Sequence, residues 1–380
     1  MARVEDLRVA ICSSGELYGG VEEFIYTFSE HLRDNVKIEF IVVLFHRGRL
    51  FEKLTAKGIR VELVDPAFKY DPSLPLKLAR VLRKHRINIV HTHGYKSNIL
   101  ACLATLFYSI KIIKTEHGRQ EPPKGFPGLR MSANLVLDRL VTRLCVDEVV
   151  HVSKDIQAFY LNAYRRPRQS VVYNGIKTIT LGNKGVCLDS NFINIGIVGR
   201  ITEVKGHIHL INAVKRLPDL DRLRVLVLGD GPLKNTLMDY CQRSGLSERI
   251  SFLGFKDNVH EYISQLDIFI MPSLHEGLPY ALLEAMYLRV PIIASNVGGI
   301  SEILENNTDS ILIEPSDPEL IANAIRALAE NKDMGKRLQE NAFKKVTENF
   351  MIGKMVNEYL GVYLRSFEVQ SNLPGSSPCE

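Results

Sequence analysis

The chain has 380 residues, of which 46% are hydrophobic and 24% charged, with a net charge of +5. That is an ordinary globular composition, long enough for two domains that each bury a core without disulfides or metal staples. Its six cysteines, Cys12, Cys102, Cys145, Cys187, Cys241 and Cys379, form no CxxC pair. This excludes a cysteine zinc site or a disulfide framework and predicts a reducing, cytoplasmic setting.

The first residues, MARVEDL, run into an apolar strand with neither a cationic start nor a long apolar core, so no signal peptide is expected. RVAIC (8–12) reads as that strand, and 21–34 as a helix with Val21, Phe24, Ile25, Phe28 and Leu32 at helical spacing. Strands follow at 38–45, 58–64 and 87–93. The apolar stretch 99–113 is interrupted by Thr, Ser and Lys and is too short and broken to span a bilayer. A helix is predicted at 136–146 and a strand at 148–153. The pattern then restarts: strand 192–200, helix 206–217, strands 224–232, 250–255 and 266–273, a helix entrance at 276–280 with Pro279 suited to its first turn and an apolar run behind it, and a strand at 290–295. Continuous apolar strands alternating with helices predict an α/β chain of two doubly wound parallel sheets, covered on both faces. The segment 182–191, rich in glycine and polar residues, reads as the hinge between domains 1–176 and 177–350, and the polar tail 371–380 as disordered.

Charge is uneven. Residues 1–176 carry 27 Lys plus Arg against 18 Asp plus Glu, a balance of +9, and the remainder carries −4. Lys111, Lys114, Arg119, Lys124, Arg130, Arg139 and Arg143 lie near Phe107, Tyr108, Phe126 and Met131 in the sequence. Cations mixed with aromatics fit an anionic membrane surface, or else an ordinary solvated face. No nucleic-acid-binding motif accompanies them.

In open parallel sheets ligands bind beyond the carboxyl ends of the strands, which here are marked by glycines, cations and carboxylates. LHEGLPYALLEAM (274–286) places Glu276 before a helix entrance and Glu284 on the helix. Such an entrance suits a phosphate, and equally an ordinary buried helix. GRITEVKG (199–206) sets Arg200 and Lys205 on one strand-to-helix loop, where they could clamp a diphosphate. Gly19 and Gly20 open the first helix, but no G-x-G-x-x-G fingerprint is present, which disfavours a nicotinamide oxidoreductase. His91 and His93 alternate on one strand and His117 ends another; without a further ligand motif they fit hydrogen bonding to a polar substrate, or a structural role, better than a metal.

In the order GR…KG, LGDGP, FLGF, HEGLPYALLEAM and NVGGISEIL, these pieces resemble the GT-B-fold retaining glycosyltransferases of family four (glycosyl transferases group 1). The resemblance implies two Rossmann-like domains with an interdomain cleft, an acceptor domain and a donor domain, and a last helix near 351–366 returning to the first. It implies that a nucleotide-diphosphate sugar, UDP-linked on family base rates, is the co-substrate, with no metal or other cofactor. Glu276 would contact the sugar and Glu284 the ribose. Arg200 and Lys205 would hold the diphosphate, with the backbone amides of Gly277, Leu278 and Pro279. Gly254 and Phe255 would line the base, and Gly19 and Gly20 would approach the phosphates. His93 would reach the transferred sugar, and His117 would lie nearer the acceptor, a glycan or lipid-linked hydroxyl of cell-surface synthesis. A nucleotide-sugar epimerase of the same fold and a non-catalytic sugar-nucleotide binding subunit are the alternatives.

Overall fold

The computed structural model describes residues 3–16, 18–68, 71–106, 108–120, 126–182 and 186–371. Lys69, Phe107, Lys124, positions 183–185 of the expected hinge and the tail 372–380 lie outside the described residues, as do the side chains of Phe126 and Arg130. The chain divides into two compact units, Met1–Asn174 with Ile352–Glu380, and Gly175–Met351.

The first unit alternates strands and helices: β1 (Arg8–Ser13), α1 (Gly20–Asn35), β2 (Glu39–Leu44), α2 (Arg49–Ala56), β3 (Val61–Leu63), α3 (Leu74–Lys84), β4 (Ile89–His93), α4 (Tyr95–Ala104), β5 (Lys111–Glu116), α5 (Phe126–Cys145), β6 (Glu148–His151), α6 (Lys154–Tyr160) and β7 (Arg168–Val171). The strands form one parallel sheet in the order β3-β2-β1-β4-β5-β6-β7. Strand order reverses between β1 and β4, so the loops after these two strands diverge and leave a crevice at the carboxyl edge. Ser13, His93 and Thr115 lie side by side along that edge.

The second unit repeats the plan with β8 (Ile193–Val198), α7 (His207–Val214), β9 (Leu223–Leu228), α8 (Lys234–Arg243), β10 (Ile250–Gly254), α9 (Val259–Ile263), β11 (Ile268–Met271), α10 (Tyr280–Tyr287), β12 (Ile292–Ser295), α11 (Ile300–Ile303), β13 (Ile311–Ile313), α12 (Pro318–Glu330) and α13 (Lys332–Asn349). Its parallel order is β10-β9-β8-β11-β12-β13, with the reversal between β8 and β11. Ile195, Ile197, Val225, Val227, Ile268 and Ile270 centre its core. The last helix, α14 (Ile352–Ser371), belongs to the first unit and packs on α1 and β5.

Two expectations shift. The helix expected over 136–146 begins ten residues earlier, at Phe126. Pro279, expected in the first turn of its helix, is the cap of α10 in extended conformation, at φ −78° and ψ 131°.

Candidate functional site

In the second unit the loops leaving β8 and β11 are tied together across the reversal point. Leu274 N–H donates to Val204 O at 2.7 Å. Gly206 has φ +66°, and a Cβ there would stand 1.9 Å from Pro272 O, so no other residue permits this approach. The short turn Glu203–Lys205 thereby aims Lys205 at the neighbouring loop. Its Nζ donates to Glu276 Oε1 at 2.6 Å, and Ser273 Oγ donates to the same oxygen at 2.7 Å. Glu276 and Ser273 are buried, whereas Lys205 keeps partial access to solvent. The loop after β12 fixes Glu276 from the other side. Gly299 N–H donates to Glu276 O at 3.2 Å, and Gly298, at φ +51°, leaves no room for a side chain against that carbonyl. Arg200 stands exposed on the β8 loop. A carboxylate and one cation therefore meet at the switch point of the sheet, with Arg200 on the same loop as the cation.

Glu284 lies on α10, whose Leu282, Leu283, Ala285 and Met286 are buried. Its Oε1 stands 3.1 Å from His260 Nε2 on α9. Gly254 ends β10 at φ +70°, and its carbonyl accepts from Gly229 N–H at 2.9 Å; Phe255 is exposed beside it. The amide expected from Pro279 requires correction, because proline has no N–H. Gly277 and Leu278 precede it on the loop, and the backbone donors of α10 itself begin at Tyr280.

In the first unit, Gly19 caps α1 and its N–H donates to Glu22 Oε2 at 3.0 Å. The amide of Gly19 is thus engaged inside the helix cap, while the space beside Gly20 is open. The three histidines form one cluster under α1 and α14. His93 Nδ1 and His117 Nε2 are 2.9 Å apart, and the rings of His91 and His93 lie 4.2 Å apart between centroids. Phe24 packs on His93 and His117. His91 Nδ1 meets Tyr363 Oη and its Nε2 meets Thr115 Oγ1, each at 2.7 Å. Burial pushes His91 and His117 down to about 3 and holds His93 well below the usual imidazole range, so all three are neutral at pH 7. Among the described residues His93 Nε2 is buried without a hydrogen-bond partner, whereas both ring nitrogens of His91 are engaged. The sequence pair therefore splits: His91 braces the fold, and His93 retains one polar atom for another use.

Sequence reasoning missed Ser273, His260 and Tyr363. Ser273 reads as the last residue of the strand 266–273, and the other two meet their partners only through tertiary packing. Lys114, expected on a basic surface, is instead fully buried between Glu116 and Asp138, each at 2.6 Å. Among the described residues no group of three or more His, Cys, Asp or Glu side chains is placed to hold a metal ion.

Comparison with known proteins matches residues 188–345 to the model "Glycosyl transferases group 1" and residues 18–179 to "Glycosyltransferase Family 4". An Escherichia coli protein named UDP-Gal:alpha-D-GlcNAc-diphosphoundecaprenol alpha-1,3-galactosyltransferase is 28% identical over 76% of this chain and 78% of its own length. The N-acetyl-alpha-D-glucosaminyl L-malate synthase of Bacillus anthracis is 28% identical over 77% of this chain and 79% of its own. Among solved structures, Anabaena HepE in complex with UDP and glucose superposes with a TM-score of 0.80 at 19% identity, covering 97% of this chain and all of that one. At that identity the likeness is one of fold, and it is the GT-B glycosyltransferase fold.

Proposed function

Since the chain belongs to the group 1, family-four glycosyltransferases, we propose that it moves a sugar from a UDP-linked donor to a hydroxyl of a glycan or lipid-linked acceptor, with retention of configuration and without a metal. The observation that carries this reading is the Lys205–Glu276–Ser273 cluster at the switch point of the second sheet. Uridine diphosphate is supported by the names of relatives: the E. coli protein is named for UDP-Gal, and HepE was solved with UDP. A lipid-linked acceptor is supported by the diphosphoundecaprenol in the former name and by the +9 charge of residues 1–176, which suits the cytoplasmic face of an anionic membrane.

In the proposed reaction the bond between the anomeric carbon and the diphosphate breaks, and its electrons leave on UDP. The acceptor oxygen bonds to the same face of the sugar, and its proton passes to a phosphate oxygen of the leaving group. Lys205 and Arg200 stabilise the charge that develops on the diphosphate, with backbone donors of Gly277, Leu278 and the α10 entrance. Glu276 holds sugar hydroxyls, Glu284 the ribose, and Gly254 and Phe255 flank the base. Gly20 offers open backbone to the phosphates, with Gly19 shaping the turn. His93 Nε2 meets a hydroxyl of the transferred sugar, and His117 holds its ring from the acceptor side.

The test is donor turnover with a soluble acceptor analogue. Lys205→Ala lowers kcat/KM by about 10²–10³-fold, the usual loss when one charge-stabilising donor is removed. Glu284→Ala acts mainly on the KM for the donor. Transfer giving the opposite anomer refutes retention, and UDP-sugar that is bound yet never transferred or hydrolysed leaves only a binding subunit. Epimerised donor formed without acceptor identifies the epimerase.

A further inference from the structure

Helix α5 buries charge. Its inner face carries Asp138 and Thr142 beside Leu135, all three buried. Asp138 accepts from Lys114 Nζ at 2.6 Å and from Asn98 Nδ2 at 2.7 Å, and Asn98 also donates to Thr142 at 2.9 Å. Lys114 reaches Glu116 at 2.6 Å and Tyr164 Oη at 3.2 Å, so the buried charges are paired and hydrogen-bonded. A charge-assisted network of this kind, together with Leu135, anchors the helix. The outer face is apolar as well: Val136 is 64% exposed, Leu137 42%, Leu140 51% and Leu144 58%. Positions 136, 140 and 144 follow at intervals of four, with Leu137 beside them, so they make one stripe.

That stripe is set among cations. Arg139 and Arg143 are exposed on the same helix, and Arg165 and Arg166 on the segment after α6. A concavity of about 440 Å³ at the end of α5 is lined by Arg143, Leu144, Asn162, Arg165 and Arg166. Arg143 Nε donates to Ala163 O at 2.6 Å and Arg166 donates to Leu144 O, while among the described residues none of the four guanidinium groups pairs with a carboxylate. Exposed leucines grouped in one stripe mark an interaction surface, and arginines whose charge no carboxylate neutralises specify an anionic one.

We propose that the outer face of α5, with the arginine-lined concavity at its end, docks the protein on an anionic phospholipid bilayer. The helix lies in the interface with Leu137, Leu140 and Leu144 entering the acyl boundary and the guanidinium groups at lipid phosphates. Among the described residues no helix is long and apolar enough to cross a membrane, in keeping with a helix that lies on one. A second copy of the chain is a poorer occupant. A two-fold contact sets a patch against itself and here would oppose arginine to arginine. The docking surface rests on the membrane reading above, and the test separates the two.

The full chain is sedimented with vesicles of equal parts phosphatidylglycerol and phosphatidylcholine, and with phosphatidylcholine alone, at low and high salt. Wild type is expected to bind the anionic vesicles and to lose most of that binding at high salt. Leu140→Ser/Leu144→Ser and Arg139→Glu/Arg165→Glu each weaken it by about tenfold or more. Both keep wild-type turnover on a soluble acceptor, which shows that they fold. Arg243→Glu, an exposed charge reversal on α8, leaves vesicle binding unchanged. If wild type binds and both α5 variants bind equally well, this surface is wrong while the membrane reading stands. If wild type ignores anionic vesicles, both fall. A wild-type dimer that Leu140→Ser/Leu144→Ser dissociates would assign the stripe to a second copy and overturn the proposal.

Discussion

At the scale of single residues, the carboxylate of Glu276 is held by two donors on one oxygen, Lys205 from the β8 loop and Ser273 from its own. Removing the cation leaves a buried anion with one neutral donor, a costly arrangement. Lys205→Met should therefore destabilise the protein more than Lys205→Met/Glu276→Gln does, because the second change removes the stranded charge. Urea unfolding of wild type, both single variants and the double variant gives a coupling energy expected at about 1–3 kcal/mol. Additive effects would falsify the pairing. The charged members of this cluster were legible in the sequence because GR…KG and HEGLP each sit where a strand meets a helix. Their contact was not legible, because Lys205 and Glu276 are 71 residues apart. Ser273 was hidden by its place, since a serine closing the expected strand 266–273 carries no pattern of its own.

At the scale of elements, α14 does more than cover the first sheet. Tyr363 supplies the partner for His91 Nδ1, and Tyr359 Oη reaches Thr115 Oγ1 at 3.0 Å, the same oxygen that meets His91 Nε2. Arg365 adds an ion pair to Glu148 on β6. Tyr363→Phe keeps the packing on Phe28 but leaves a fully buried imidazole nitrogen without a partner. The expected loss is about 1–3 kcal/mol of unfolding free energy, read from the urea midpoint at neutral pH. A loss below about 0.5 kcal/mol, the ordinary scatter of surface substitutions, would show that His91 finds another partner. The strands of both sheets were legible as continuous apolar runs, since parallel strands are buried on both faces. The first half of α5 was not. FPGLRMSAN (126–134) holds a proline, a glycine and few apolar residues at helical spacing. Its second half could be read from VLDRLVTRL, yet the period alone does not reveal that Asp138 and Thr142 share the buried face with Leu135. The buried aspartate depends on Lys114, which composition places on the surface and packing places inside.

At the scale of the whole molecule, the buried histidines decide how the protein meets acid. Burial pushes His91 and His117 down to about 3, and His151 on β6 and His207 on α7 to about 4; His93 lies well below its ordinary value. Each is neutral in the folded chain and becomes protonated once unfolded near pH 6.5. Between about pH 6.5 and pH 4 the unfolded chain therefore binds more protons than the folded one, and stability rises with pH across that window. It is fully present above pH 6.5 and drains away as pH falls. Each histidine contributes a slope of about 1.4 kcal/mol per pH unit. Four of the five lie in the first unit and only His207 in the second, so the first unit should be the more acid-sensitive. Amide hydrogen exchange followed by peptide from pH 7.5 to pH 5, corrected for intrinsic exchange, reads the units separately. Protection of β1, β4 and β5 is expected to fall more steeply than that of β8, β9 and β11. Equal slopes in both sheets would mean that the His91–His93–His117 cluster takes up protons without opening, and that the neutral arrangement built by α1 and α14 is not what holds it together.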